Sequence, residues 1–315
     1  METTIEVSEQ SQVAEVRRVV AELARLQGMS ATETGRCALV ATEVSTNLVK
    51  YGKGGVVTVV GFSEWSVSGI QIVASDKGPG FSNFVASSRD GVSTGGSLGI
   101  GLGGIMRASD LFEVFTLPGQ GSALTMGTRR TPKRGQVECG DACSYTRAGG
   151  WQRLCVVDGL GHGPLAAQAS AEALAVVRAS PAEDSPLQIL ERAHEALRPT
   201  RGAVMAVAAI DCARGRISFA GVGNIAAAVY SGEATHHLLS VEGVVGYNAR
   251  SLKMEEFPWT PESCVILSSD GMSTRWNLAR YPGLLQRHPA LVASVLHRDF
   301  ARDSDDATLL VAKGK

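Results

Sequence analysis

The sequence contains no run of eighteen apolar residues, which excludes a membrane-spanning helix within it. It has no excess of either charge. Lys and Arg number 30 against 31 Asp and Glu, a formal charge of -1. Without a global positive field, no nucleic-acid partner is expected. Its six cysteines (Cys37, Cys139, Cys143, Cys155, Cys212, Cys264) form no CxxC pairs of the zinc type. In a chain this long they read as reduced thiols, and a cytoplasmic protein is expected. The opening METTIEVSEQ is polar and acidic, unlike a secretory signal. No histidine precedes His162, and no internal repeat is visible. What is present is ordinary globular composition, 44% hydrophobic and 19% charged over 315 residues, which excludes a largely disordered chain and suggests two domains.

The run RRTPKRGQ at 129–136 marks a seam, because proline and glycine stop regular structure and a charged run stays in water. The expected division is residues 1–131, a linker at 132–136, and residues 137–315. In the first part, Val13, Val16, Val20, Leu23 and Leu26 recur at helical spacing, and a second helix runs from about Thr32 to Tyr51 with Val40, Val44 and Leu48 on one stripe. Strands are expected at 56–61, 69–75, 112–117 and 122–128. The Gly/Ser-rich stretch between the middle two is long enough to be functional. The second part reads as a strand–turn–strand at 137–158, two helices near 164–179 and 186–197, and then a series of strands, a layered α+β domain.

Three elements of the first part share one chemistry. Glu43 and Asn47, four apart, lie at the edge of the helix's buried stripe and suit a general base and a Mg²⁺ ligand. Asp76 ends an apolar strand and is followed by Gly78 and Gly80, a pattern that lets a carboxylate accept a hydrogen bond from a base while the backbone comes close. Then comes GGSLGIGLGG at 95–104, whose free N–H groups suit phosphates. In this order the elements resemble the N-box, the DxGxG box and the GxGL box of the GHKL ATPases. The run DKGPGF…DGVSTGGSLGIGLGGIMRASDLFEV is similar to the small switch serine kinases of the RsbT and RsbW type. The resemblance implies an α/β sandwich holding ATP between helices and a mixed sheet. Asp76 would contact the adenine amine and Asn47 would hold Mg²⁺. Gly99, Gly101 and Gly103 would approach the phosphates, and Glu43 would activate a substrate serine. Sparse positioning of this kind suffices for phosphoryl transfer.

The second part gathers acidic sites at strand ends and turns: Gly140-Asp141, Asp158-Gly159, Asp270-Gly271 and Asp305-Asp306. Carboxylates brought to one sheet edge repel unless cations neutralise them, and hard oxygen ligands favour Mg²⁺ or Mn²⁺. The motifs GD, VVDGLGHGPLAA, VILSSDG and DDATLLVA resemble the PPM metal-dependent Ser/Thr phosphatases, specifically the SpoIIE/RsbX branch. That resemblance implies a β-sandwich flanked by helices and two bound ions. The ligands would be Asp158, the Gly159 carbonyl, Asp270 and Asp305, with Asp141 assisting. Asp306 stands as the alternative to Asp305. A water activated by the ions would attack phosphoserine or phosphothreonine directly. Where many larger members carry His after the Asp-Gly pair, this chain has Leu160, and His162 follows two further on. No basic residue stands out to hold the substrate phosphate. The cysteines flanking Asp141 read as packed thiols, His236-His237 as a solvated turn, and Trp259 and Trp276 as packing residues.

Together the resemblances imply a partner-switching regulator. A PPM-type phosphatase would act on a STAS-domain antagonist, with a sigma factor or another regulator downstream. The fused ATP-binding domain would phosphorylate the same class of target, or alternatively only bind nucleotide or a partner.

Overall fold

The computed structural model describes residues 2–64, 67–81, 101–109, 112–119, 121–124, 129–131, 139–232, 234–249, 251–302 and 304–314. The chain divides into two compact units. The first comprises Met1–Gly127 with Ala290–Arg298, and the second Thr128–Pro289 with Asp299–Lys315. Among the described residues no helix is long and apolar enough to cross a membrane.

The first unit is one sheet with helices packed on it. Strand β1 (Glu2–Val7) precedes helices α1 (Gln10–Leu26) and α2 (Ala31–Lys50). Strands β2 (Gly55–Glu64) and β3 (Val67–Ser75), helix α3 (Gly101–Ala108), and strands β4 (Val114–Leu117) and β5 (Gly121–Leu124) follow. The sheet order is β1-β2-β3-β5-β4, and every pair is antiparallel rather than mixed. Helix α2 starts where Ser30 and Glu33 exchange hydrogen bonds, a capping box that satisfies two otherwise orphaned N–H groups. Its Val40, Val44 and Leu48 meet Val13, Val16 and Val20 of α1 and Val57 and Val59 of β2 in one core. The outer strand β1 was not legible in the sequence, since only Ile5 and Val7 of its six residues reach that core.

The second unit is a β-sandwich flanked by helices. One sheet runs β13-β10-β9-β8-β7, the other β12-β11-β14-β15-β6. The first contains β7 (Asp141–Ala148), β8 (Trp151–Gly159), β9 (Ala203–Asp211), β10 (Arg216–Val222) and β13 (Glu255–Pro258). The second contains β6 (Arg129–Thr131), β11 (Ala226–Ser231), β12 (Ala234–Leu238), β14 (Cys264–Ser268) and β15 (Ala307–Lys313). The period-2 alternation of a strand decides what faces what. Leu154 and Val156 of β8 point between the sheets, toward Phe219, Val265 and Leu310. Cys155 and Val157 point the other way, under α4 (Pro164–Ala179) and α5 (Pro186–Ala196), where Leu174, Val177, Ile189 and Leu190 cover them. Strand β9 is buried along its whole length because both of its faces are covered.

Three local findings differ from sequence expectation. The seam at 129–136 begins with a strand: Arg129–Thr131 pairs with Leu309–Ala307, while 132–138 lies outside the described residues. His236 and His237 sit in strand β12 rather than a turn, exposed, with His236 beside the Phe257 ring at 5.4 Å. A further helix, α6 (Pro289–Phe300), has every residue from Ala290 to His297 buried. A helix buried all round carries no amphipathic period to read.

Candidate active site

Strand pairing alone brings the first two acidic residues together. Asp141 opens β7, Asp158 stands one residue from the end of β8, and the antiparallel register places them directly opposite each other. The chain then needs glycine. A Cβ on Gly159 would stand 2.1 Å from the Ala166 carbonyl oxygen of α4, and one on Gly271 would stand 1.7 Å from that of Asp306. The two Asp-Gly pairs are therefore also packing devices that let α4 and the Asp305-Asp306 turn press against the aspartates.

Asp270 follows β14 and Asp305-Asp306 precedes β15, and these two strands are neighbours. The four sequence motifs thus converge. Burial, reinforced by the charges of Asp141, Asp270, Asp305 and Asp306, pushes the Asp158 carboxyl up to about 8. Asp141, 1% exposed, is pushed up to about 6 by burial, against the pull of the Ser269 hydrogen bond. Such mutual perturbation marks a cluster of negative charge short of a counter-charge. Among the described residues, no three acidic, histidine or cysteine side chains are drawn in close enough to hold an ion as they stand. The donor set, all hard oxygen, fits Mg²⁺ or Mn²⁺ and not a thiolate metal. Cys139 is buried and Cys143 half-buried, as packed thiols are, and none of the six cysteines forms a disulfide among the described residues.

Residues beyond the expected ligand set complete the arrangement. The Ser269 hydroxyl donates to Asp141 Oδ2 at 2.5 Å and accepts from the Thr308 N–H at 2.9 Å. Asn224 Nδ2 donates to Asp270 Oδ2 at 2.9 Å. Asp306, 4% exposed, accepts the Gly140 N–H at 2.6 Å, and its own N–H donates to Asp305 Oδ1 at 3.0 Å. The adjacent carboxylates are thereby distinguished: Asp306 clamps the Gly140-Asp141 turn, while Asp305 is the more open of the pair. Ser269 lies within SSDG and Asp306 and Thr308 within DDATLLVA, whereas Asn224 belongs to no motif. Leu160 and His162 are exposed in the loop between β8 and α4.

In the first unit, Glu43 and Asn47 are half-buried on α2, four residues apart. Asp76, 9% exposed at the end of β3, accepts the Gly78 N–H through Oδ1 at 2.8 Å. Burial raises its pKa, against hydrogen bonds from the Gly78 and Ser122 backbones and the nearby Arg298. Arg298 Nη1 donates to the Asp76 carbonyl at 3.0 Å. Gly80 abuts the Leu117 carbonyl, and Gly101 and Gly103 open α3. Gly99 lies outside the described residues.

Residues 149–315, more than half of the chain, match the family model described as Stage II sporulation protein E (SpoIIE). Residues 7–128 match the histidine kinase-like ATPase domain. The serine/threonine-protein kinase RsbT of Bacillus subtilis (strain 168) is 27% identical over 112 residues, 36% of this chain and 84% of RsbT. The phosphoserine phosphatase RsbX of the same organism is 28% identical over 144 residues, 45% of this chain and 71% of RsbX. Among solved structures, one described under "The bacterial stressosome: a modular system that has been adapted to control secondary messenger signaling" is 29% identical with TM-score 0.55, covering 65% of this chain and all of its own. RsbX in complex with magnesium shares the fold at 22% identity and TM-score 0.52, over 58% of this chain and 92% of RsbX.

Proposed function

The chain belongs to the SpoIIE family, and on that footing we propose that its second unit hydrolyses phosphoserine or phosphothreonine on a regulator protein of the STAS type. The observation that carries this reading is the convergence of five aspartates, in which burial and then the neighbouring charges push Asp158 up to about 8. Asp158, the Gly159 carbonyl, Asp270 and Asp305 would hold two Mg²⁺ or Mn²⁺ ions, with Asp141 assisting. When bound, such ions supply charge neutralisation and an activated water. The protein's own part is orientation. Ser269 fixes the Asp141 carboxylate, Asn224 fixes Asp270, and Asp306 ties the Gly140-Asp141 turn to β15. The reaction consumes one water, breaks the P–O bond and returns the serine or threonine hydroxyl with inorganic phosphate.

The first unit is proposed to bind ATP with Mg²⁺ and to phosphorylate the same class of target. Asp76 would read adenine, Asn47 would hold Mg²⁺, Gly78, Gly80, Gly99, Gly101 and Gly103 would let the nucleotide approach the backbone, and Glu43 would act as the base. The order of these elements and the similarity to RsbT support the reading. The domain boundaries proposed are 1–131 and 137–315.

Phosphate release from a phosphorylated STAS-domain protein, in Mn²⁺ and in EDTA, tests the hydrolase. Release should require the metal and vanish in Asp158→Ala. Transfer from labelled ATP to the unphosphorylated protein should vanish in Glu43→Ala. ATP binding without transfer in the unmutated chain would restrict the first unit to nucleotide sensing.

A further inference from the structure

The proposed hydrolase site has five carboxylates and, within its motifs, no cation of the protein's own to receive a phosphoryl dianion. The fold supplies one from elsewhere in the sequence. Arg201 lies between α5 and β9, forty residues beyond Gly161, yet its guanidinium lies against the Asp158–Gly163 loop. A methyl group built on Gly161 would stand 3.0 Å from Arg201 Nη1 and 3.5 Å from its Cζ. The same loop also reaches the carboxylates. The Gly161 carbonyl oxygen lies 3.6 Å from where a Cβ on Gly140 would stand, and that point is 3.0 Å from Asp306 Oδ2.

The backbone on either side of Arg201 is pinned. The Gly202 carbonyl accepts the Leu160 N–H at 3.1 Å. The Gly202 N–H donates to the Thr200 hydroxyl at 3.0 Å, and that hydroxyl donates to the Leu197 carbonyl at 2.7 Å. The Arg201 Cα is thus tied both to the end of α5 and to the loop that follows Asp158. The side chain is exposed and forms no ion pair with any described residue, although five carboxylates belong to the same site. Its donors are therefore available to something that arrives from solvent. A guanidinium presents a planar fork that matches two phosphate oxygens at once, and it keeps its charge at any working pH.

We propose that Arg201 forms the phosphate-holding subsite for phosphomonoester dianions at the edge of the aspartate cluster. This rests on the phosphatase reading above, and it names the residue that would orient the substrate there. The subsite offsets the repulsion between an incoming dianion and the carboxylates and would hold the substrate phosphate beside them.

The test uses the full chain in Mn²⁺, with a phosphoserine peptide as substrate and inorganic phosphate as a second probe. Arg201→Gln should raise KM and the inhibition constant for inorganic phosphate by about tenfold or more, the effect of losing charged hydrogen bonds to phosphate. Arg201→Lys should recover part of both. Mn²⁺ affinity, measured by titration calorimetry, should stay within about twofold in both variants, which separates a substrate contact from damage to the metal ligands. Unchanged KM and phosphate inhibition in Arg201→Gln would overturn the proposal. So would the same losses arising from Arg302→Gln instead, since Arg302 lies at the other Asp-Gly turn, its N–H on the Gly271 carbonyl. If the unmutated chain releases no phosphate, the phosphatase reading fails. Calorimetric binding of inorganic phosphate to the Mn²⁺-loaded protein then still decides Arg201: binding weakened in Arg201→Gln upholds the subsite, and binding unaffected rejects it.

Discussion

Replacing Asp158 by asparagine should inactivate the protein and make its metal-free form more stable. The reason is the burial of Asp158 among other carboxylates. In the unfolded chain an aspartate titrates near ~3.9, whereas burial and four neighbouring carboxylates push the folded Asp158 up to about 8. An acid whose folded pKa is raised brings no penalty below the unfolded value. The penalty grows as pH rises toward the folded value, because the folded state then holds a proton that the unfolded state has released. Over roughly four pH units at about 1.4 kcal/mol each, the full loss approaches ~5 kcal/mol by pH 7.5. Asp158 is only half-buried, so water and counter-ions reduce this to about 2–4 kcal/mol. Asparagine keeps the volume and removes the titration. Urea unfolding in EDTA at pH 7.5 should therefore show Asp158→Asn more stable than the parent by that amount, with the difference shrinking to nothing near pH 4. Saturating Mn²⁺ should invert the order, since binding at a hundred times Kd adds about 2.7 kcal/mol per site to the parent alone. A variant less stable than the parent in EDTA at pH 7.5 would refute the reasoning, because it would mean that burial and the neighbouring carboxylates do not disfavour the charged Asp158.

Three further outcomes follow from the packing and hydrogen bonds. Ser269→Ala orphans the buried Thr308 N–H and removes a donor from Asp141, so it should cost about 2–3 kcal/mol in denaturant unfolding and weaken Mn²⁺ binding in calorimetry. Phe219→Ala opens a cavity between the two sheets at a fully buried position and should cost about 3–5 kcal/mol, while leaving the Mn²⁺ dependence of activity intact. Asp76→Ala should abolish binding of a fluorescent ATP analogue to the full chain and leave metal-dependent phosphate release in place; retained binding would remove Asp76 from the nucleotide site.

Much of this was legible in the sequence because it depends on local periodicity. The stripe of Val40, Val44 and Leu48 declares the buried face of α2, and the apolar runs before Asp158 and Asp270 declare strands that end in carboxylates. The same locality explains what escaped reading. Helix α6 has no polar face to set a period, and β1 and β6 are edge strands whose identity rests on the neighbour they pair with.

The sequence by itself determined which residue types carry the chemistry: the Asp-Gly pairs at strand ends, and the Glu43, Asn47 and Asp76 pattern. Tertiary structure alone decided how they are deployed. Ser269 meets Asp141 across 128 residues, Gly140 meets Asp306 across 166, and Asn224 meets Asp270 across 46. Separations of that kind leave no local signature, since hydrogen bonds and charge repulsion act through space and only the packing of two sheets closes the distance. Between Asp305 and Asp306, adjacent and chemically identical, the choice of which clamps the turn and which faces outward is a matter of strand register and burial.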